Sequence, residues 1–326
     1  MKVLGLGNAL VDILVKLESD RIINELGFPK GSMQLINVNE IPLITDLINN
    51  LPVSMASGGS AANTIHGLAS LGGSCGYIGK VGKDDLGRFY ANDLKSIRVE
   101  SMLFQSDTDT GRAYTLITPD SERTFATYLG AAVELMAADI DLSFLKKFDL
   151  LHVEGYMVQN ASLIEKVLKL ARNNGMKVSI DLSSFNVVEE NREFLLKIIP
   201  HYVDIVFANE EEAKVYTKKE PEEALKIIAS RVEIAIVKIG QKGSLIQSGN
   251  NITRITIDPV KSVDTTGAGD QYAAGFLYGY TKKLSAEQCG RLGSLLAGTV
   301  VQNIGARIPR NLWPQILKEA AHIVAN

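Results

Sequence analysis

The sequence has little of what would hold a protein together covalently or through metals. Among its 326 residues there are only two cysteines, Cys75 and Cys289, with no further cysteine or histidine at metal-site spacing. That excludes a disulfide framework, and both cysteines read as small buried apolar residues. The four histidines are dispersed and no His-Glu-x-x-His occurs. No excess of positive charge is present either. Lys+Arg 34 against Asp+Glu 37 leaves a net charge of −3, which argues against the basic face of a nucleic-acid binder. Residues 47–79 carry no Asp, Glu, Lys or Arg at all. Asn49, Asn50, Pro52, Asn63 and the glycine pairs 58–59 and 72–73 make that stretch unfit for hydrocarbon, so no membrane span is expected. The chain reaches the apolar run Val3–Leu6 without a basic segment; no signal peptide and a cytoplasmic location are expected.

What is present is an ordinary globular composition, 46% hydrophobic and 22% charged, unlike that of a disordered chain. At about 150 residues per domain, the length makes roughly two domains, or one large domain with an appendage. Such a chain buries a sizeable core without staples. Its middle alternates. Leu150–Val153, Val178–Ile180, Ile205–Phe207 and Ile234–Ile239 read as buried strands. Between them, helical spacing marks Leu163–Ala171, a stretch near Glu190–Ile199, Glu210–Tyr216 and Glu222–Ser230. Strands alternating with helices give βαβ units and a mostly parallel sheet, with ligands at the carboxyl ends of its strands. Two segments break the rhythm. Val11–Leu17 and Ser32–Val38 read as extended, and Arg112–Thr118 and Arg123–Tyr128 flank the turn Pro119-Asp120-Ser121 as a hairpin. A small sheet built from both insertions is expected, either as a lid over the active site or as a subunit-pairing surface; the two can coexist.

The strongest chemical signal is Asp264-Thr265-Thr266-Gly267-Ala268-Gly269-Asp270, which feeds into a helical face of Tyr272, Ala273, Phe276, Leu277 and Tyr280. Small residues at a helix start let backbone N–H groups converge, and the helix dipole adds positive potential. That suits an anion that gains charge in a transition state. Asp270 reads on spacing alone as an N-cap, but a carboxylate beside an anion hole is also the base a phosphoryl acceptor needs. Gly58-Gly59-Ser60-Ala61-Ala62-Asn63-Thr64 leads into a second helix. Gly5-Leu6-Gly7-Asn8-Ala9-Leu10 starts like a dinucleotide fingerprint, yet Leu10 replaces the third glycine and an extended segment follows. A Walker-type phosphate loop is absent.

Together these clusters resemble the PfkB family of carbohydrate and nucleoside kinases, which includes ribokinase, fructokinases and adenosine kinase. Asp264–Asp270 is similar to the family's C-terminal signature, and Gly58–Asn63 with Val81–Gly87 to its N-terminal one. Asn209-Glu210-Glu211-Glu212 fits its Asn-x-x-Glu, and Lys238-Ile239-Gly240-Gln241-Lys242-Gly243 its nucleotide-side turn. The match is colinear over the whole chain.

The resemblance implies a ribokinase-like α/β fold, a mostly parallel central sheet flanked by helices with a small β-sheet lid. The α/β domain would take residues 1–12, 39–100 and 129–326, the lid 13–38 and 101–128. It implies Asp270 as general base, with Gly267, Ala268 and Gly269 as the anion hole for the γ-phosphoryl of ATP. Asn209 and Glu212 would organise phosphate and Mg²⁺, Glu212 through water. Lys238, Gly240 and Gly243, with the stretch before Gly305, would border the nucleotide. Asp264, the Thr266 carbonyl and backbone near Asn303 and Gly305 resemble a monovalent-cation site, K⁺ being the expected ion. Asp12, with Gly58, Gly59 and Asn63, matches the grip on vicinal sugar hydroxyls, since a carboxylate accepts two hydroxyl hydrogen bonds. Arg123 is expected as an exposed lid arginine reaching the phosphates.

Ser60-Ala61 stands where ribokinases tend to have lysine, which counts against ribose. Gly7–Ile13, Glu122-Arg123-Thr124 with Tyr128–Ala132, and Asp181–Phe185 are similar to adenosine kinases. A nucleoside such as adenosine is therefore favoured, with a ribokinase- or fructokinase-like sugar kinase as the alternative and a silent nucleoside-binding relative more remote. The expected partners are ATP and a small acceptor, and the chain is expected as a monomer or as a homodimer joined through the lid.

Overall fold

In the computed structural model, which describes residues 1–120 and 122–325, the chain forms two sheets. The strands, in chain order, are β1 (Val3–Leu6), β2 (Leu10–Lys16), β3 (Met33–Leu35), β4 (Val53–Gly58), β5 (Cys75–Gly82), β6 (Glu100–Ser106) and β7 (Gly111–Ile117). They continue with β8 (Arg123–Tyr128), β9 (Leu150–Glu154), β10 (Lys177–Asp181), β11 (Ile205–Asn209), β12 (Ile234–Lys238), β13 (Ser244–Ser248) and β14 (Asn251–Ile255). The large sheet has nine strands in the order β14-β13-β12-β11-β10-β9-β1-β5-β6. From β6 through β12 every neighbouring pair is parallel, and β13 and β14 are added antiparallel. β1 lies between β5 and β9, so the chain builds outward from it in both directions. The crevice at the carboxyl ends of the strands opens at that reversal.

Both faces of the large sheet are covered, which is why its strands read as unbroken apolar runs instead of alternating ones. Successive side chains on a strand point to opposite faces. Val3, Tyr77, Leu150, Phe207 and Ile236 join the core on one side. Leu4, Ile78, Leu151, Val206 and Val237 join the core on the other. The helix Ala161–Asn173 shows how a flanking helix is specified. Leu163, Ile164, Val167, Leu168 and Ala171 form its buried stripe, Asn160 caps it by accepting the Leu163 N–H at 3.2 Å, and Gly175 follows at φ +71. The expected helix near Glu190–Ile199 is two, Phe185–Glu190 and Arg192–Tyr202. No helix among the described residues is long and apolar enough to cross a membrane.

The small sheet has five strands in the order β3-β8-β7-β2-β4. Val11, Ile13 and Val15 of β2 are buried while the residues between them are partly exposed, the pattern of a sheet covered on one face. The hairpin β7–β8 forms as expected, with Ile117 opposite Arg123; Ser121 of its turn lies outside the described residues. Sheet membership departs from the expected boundaries in three places. β2 enters the small sheet already at Leu10. β4 also belongs there, pairing antiparallel with β2 so that Leu10 faces Gly58. β6 instead continues the large sheet, because Gly76–Gly82 align in parallel with Glu100–Ser106. Only Met33–Leu35 of the expected strand Ser32–Val38 is extended. A capping turn, in which Glu40 accepts the Asn37 N–H at 2.7 Å, ends it.

One side chain ties the two sheets together. Asp84 caps the helix Asp85–Ser96 by accepting the Gly87 N–H at 2.8 Å, and it also accepts the Thr110 N–H at 2.8 Å and the Thr110 hydroxyl at 2.5 Å. Thr110 precedes β7, so the end of β5 and the entry to the small sheet share one carboxylate. Asp84→Ala removes the cap and takes away the acceptor of the Thr110 N–H and hydroxyl, leaving Thr110 only the Gly82 N–H it accepts. A loss of about 1–3 kcal/mol is expected, measured as a lower urea midpoint at unchanged slope.

Candidate active site

Four neighbouring parallel strands end in polar residues, Glu154 on β9, Asp181 on β10, Asn209 on β11 and Lys238 on β12. Each is the last residue of its strand, so the sheet carries a row of ionisable and amide groups to its carboxyl edge. Asp181 is 4% exposed and Glu154 1% exposed, so each needs partners. Lys238 Nζ donates to Asp181 Oδ2 at 2.9 Å, and Asp181 Oδ1 accepts the Ser183 N–H at 2.9 Å. Burial disfavours the Lys238 ammonium, but the charges of Asp181 and Glu212 outweigh it and hold its pKa above the usual lysine value. Glu154 accepts the Asn8 N–H at 2.9 Å and the Ala61 N–H at 2.8 Å, joining the loop after β1 to the helix Ser60–Ser70. Burial pushes it up to about 7 against those two donors.

Asn209 and Glu212 form a complete capping box at the helix Glu210–Thr217. Asn209 Oδ1 accepts the Glu212 N–H at 2.8 Å, while Glu212 accepts the Asn209 N–H at 2.8 Å and its amide at 2.7 Å. A cap needs no buried charge, however. Glu212 is 2% exposed, and burial lifts it to about 7 with Lys238 opposing and Asp181 adding.

The Asp264–Asp270 loop runs into the helix Ala268–Thr281. Gly267 is its N-cap at φ +74, and a Cβ there would stand 2.6 Å from the Ala306 Cα. No other residue fits that position. Asp270 is therefore in the first helical turn and is not the cap. A Cβ on Gly269 would meet Lys238 Nζ at 2.9 Å, so the ammonium lies against the loop. Amide N–H groups, the helix N-terminus and this ammonium meet at one place, an arrangement chemically suited to an anion.

Asp270 is gripped from the second glycine cluster. Its carboxylate accepts the Ser60 hydroxyl at 2.6 Å and the Asn63 amide at 3.1 Å, and its carbonyl accepts the Thr64 hydroxyl at 3.1 Å. Burial raises it to about 6, the Ser60 hydrogen bond opposes, and the charge of Asp181 adds. The buried Asn63 Oδ1 is left with no protein partner beside this carboxylate. Asp12, on β2, lies over Gly58, where any Cβ would overlap its carboxyl group. Burial lifts Asp12 to about 7 against Arg307, with Asp270 adding. So Asp12, Gly58, Asn63 and Asp270 share one cleft. Gly59 starts its helix at φ +95.

The remaining predicted residues fall into two places. Gly240 and Gly243, at φ +56 and +93, form the tight turn directly after Lys238. Asn303 closes the helix Ala286–Val300, its amide donating to the Thr299 carbonyl at 2.9 Å. Asp264, 2% exposed, accepts the Thr266 N–H at 2.8 Å and the Gly305 N–H at 2.6 Å. Arg123 is not the free lid arm expected. Its side chain is 14% exposed, with Nη1 3.0 Å from Asp264 and Nη2 donating to the Val263 carbonyl at 2.6 Å.

Ser60, Glu154, Asp181, Gln271 and Arg307 were not among the predicted site residues. Gln271 is fully buried and donates to the carbonyls of Asn63 at 3.3 Å and Ala306 at 3.2 Å, so it cross-braces the two glycine clusters. Arg307 pairs with Asp93 at 2.6 Å and donates to Ser57, beside the Asp12 pocket. Glu154 and Asp181 close strands that also carry His152 and Ser179, so no local pattern marked them.

The fold and this cleft define a kinase of ribokinase-like architecture. Residues 32–313 match the model of the pfkB family carbohydrate kinases. The chain belongs to that family and is a sugar or nucleoside kinase. It is similar to a probable sugar kinase from Rhizobium etli CFN 42, with 36% identity, TM-score 0.86 and coverage of 99% of this chain and 98% of the other. The adenosine kinase from Sinorhizobium meliloti matches at 36% identity and TM-score 0.86 over 98% of this chain and 99% of that one. A sugar kinase of Archaeoglobus fulgidus is 30% identical over 76% of this chain and 99% of its own length.

Ser60→Ala removes the hydroxyl that holds the Asp270 carboxyl down. The acidic limb of the turnover–pH profile is expected to move upward by about half a unit to one unit. Ser60→Thr keeps the donor and leaves the limb in place.

Proposed function

We propose that this kinase transfers the γ-phosphoryl group of ATP to a primary hydroxyl of a ribose-containing acceptor, with a nucleoside of the adenosine type preferred over a free sugar. The observation that carries the reading is Asp270, hydrogen-bonded to Ser60 and Asn63 at the mouth of the Gly267–Gly269 anion loop. Asp270 accepts the proton as the hydroxyl oxygen attacks the γ-phosphorus, the bond to the β-phosphate bridging oxygen breaks, and ADP leaves. The Gly267–Gly269 amides and Lys238 take up the charge that develops. Asp12 and the free Asn63 Oδ1 accept from the ribose diol.

Glu212 and Asp181 are hard oxygen donors beside that position, a set that fits a magnesium ion carried mainly by nucleotide phosphates. Glu212, with both oxygens already bonded to Asn209, would hold it through water. When bound, the ion neutralises phosphate charge. Gly240 and Gly243 border the nucleotide in this reading.

Two features support a nucleoside. Ser60 replaces the lysine usual in ribose enzymes, and the Sinorhizobium meliloti adenosine kinase is 36% identical over nearly the whole chain. The probable sugar kinase of equal likeness keeps a free sugar as the second reading. Steady-state phosphorylation of adenosine, ribose and fructose separates the two. At least a tenfold higher kcat/KM for adenosine is expected, and a free sugar turned over faster than any nucleoside overturns the preference.

Because Asp270 works as its carboxylate and burial lifts it to about 6, turnover should be full above that pH and fall away below it. Asp270→Asn should lose about 10²–10⁴-fold in turnover while binding ATP normally; more than half the activity retained would remove it as base. Asp12→Ala should weaken acceptor binding by about 1.5–3 kcal/mol in calorimetry and leave ATP affinity unchanged.

A further inference from the structure

We infer that the Arg123 guanidinium is the built-in counter-cation of the Asp264 loop, so that this kinase binds no monovalent cation at Asp264 and turns over without one. The inference rests on the kinase activity and not on the choice of acceptor.

The resemblance predicted a cation held by Asp264, the Thr266 carbonyl and backbone near Asn303 and Gly305. The residues present do not fit an ion at that carboxylate. A bound cation needs oxygen lone pairs turned toward it. Here two backbone N–H groups already bond the carboxylate, one to each oxygen, and the Arg123 guanidinium stands in ion-pair range of it. Oδ1 accepts the Thr266 N–H at 2.8 Å and faces Arg123 Nη1 at 3.0 Å, and Oδ2 accepts the Gly305 N–H at 2.6 Å. The Thr266 amide belongs to the loop itself, the Gly305 amide comes from the segment after the helix Ala286–Val300, and the guanidinium supplies the full positive charge.

Arg123 also takes the neighbouring carbonyl. Its Nη2 donates to Val263 O at 2.6 Å, so one delocalised cation bridges a carboxylate and a main-chain oxygen, the two ligand types a desolvated alkali ion would join. The planar fork of arginine does this where a point charge could not. Asp264 and Arg123 side chains are 1% and 14% exposed, so water does little to screen the pair. A second cation brought into the same enclosure would be repelled by the guanidinium.

The placement links this charge to catalysis without contact with the reacting atoms. Asp264 lies three residues before Gly267, and its hydrogen bond to Thr266 sets the entry to the anion loop. Arg123 opens β8, so the small sheet and the anion loop share this ion pair. Arg123 is thus a positioning residue.

The test compares wild type and Arg123→Gln as full-length enzymes in potassium, sodium and tetramethylammonium salts at one ionic strength. Turnover and thermal unfolding midpoint are both read. Wild type is expected to vary by less than twofold in turnover across the three salts, with one midpoint. Arg123→Gln, which keeps length but loses charge, should be several-fold slower in tetramethylammonium. It should recover with saturating potassium dependence, and potassium should raise its midpoint specifically. Several-fold, saturable activation of wild type by potassium would overturn the inference. So would a folded variant as active as wild type in tetramethylammonium, or one that is slow and unresponsive to potassium. Should the variant not fold, the wild-type salt comparison alone decides, and its midpoint arm is independent of which acceptor is used.

Discussion

Two helices that start 208 residues apart in the chain meet at one carboxylate, and the site exists because they approach so closely. Ser60, Asn63 and Thr64 from the first turn of one helix all bond to Asp270 in the first turn of the other. The approach is possible because Gly67 faces Gln271 and Ala274; a Cβ there would come within 2.5 Å of the Gln271 amide oxygen. Gln271 in turn spans the gap with its amide, reaching Asn63 on one side and Ala306 on the other. Both helix N-termini therefore open on the same cleft. Moving either one would dissolve the grip on Asp270 and widen the anion loop together.

The electrostatics of that cleft are unusual for a pocket that receives a polyanion. Burial lifts Asp12, Glu154, Glu212 and Asp270 well above ordinary carboxylates, and Lys238 is the ammonium placed among them. In the proposed reaction, positive potential at the phosphoryl group would come from that side chain and from main-chain amides, which are already in place. The charge of Asp270 adds to the upward shifts of Asp12 and Glu154, so ionising one carboxylate raises its neighbours.

Much of this was legible in the residues. The Gly267–Gly269 loop, the Asn209–Glu212 pair and the parallel sheet each have a local pattern, a helix entry, a capping spacing or an apolar run. Glu154 and Asp181 have none, because a carboxylate at the end of a strand acquires its neighbours only when four strands lie side by side. Ser60 drew attention as a missing lysine, while its own hydroxyl turned out to hold the catalytic carboxylate candidate. Arg123 misled for a related reason. Its strand reads as an exposed edge, and only the partner loop 140 residues on shows that the side chain turns inward. β4 and β6 exchanged sheets because pairing depends on which distant strand has an open edge, and Val53 and Met55, both exposed, gave no alternation to read.

The position of β1 at the centre of the large sheet has a consequence for how the molecule is made. Its partners are β5, more than 65 residues later, and β9, about 145 residues later. The helix that packs against Gly67 begins only at Ala268. A growing chain thus carries one edge of its first strand unpaired until nearly half of the sequence has been made, and the Gly67 face of its helix uncovered until Ala268 follows. Long-range pairing of this kind folds slowly and leaves sticky surface exposed meanwhile. Translation that stalls short of the last third would yield a species without β12, without the Asp264–Asp270 loop, and with the Gly67 face of its helix bare for chaperones to bind.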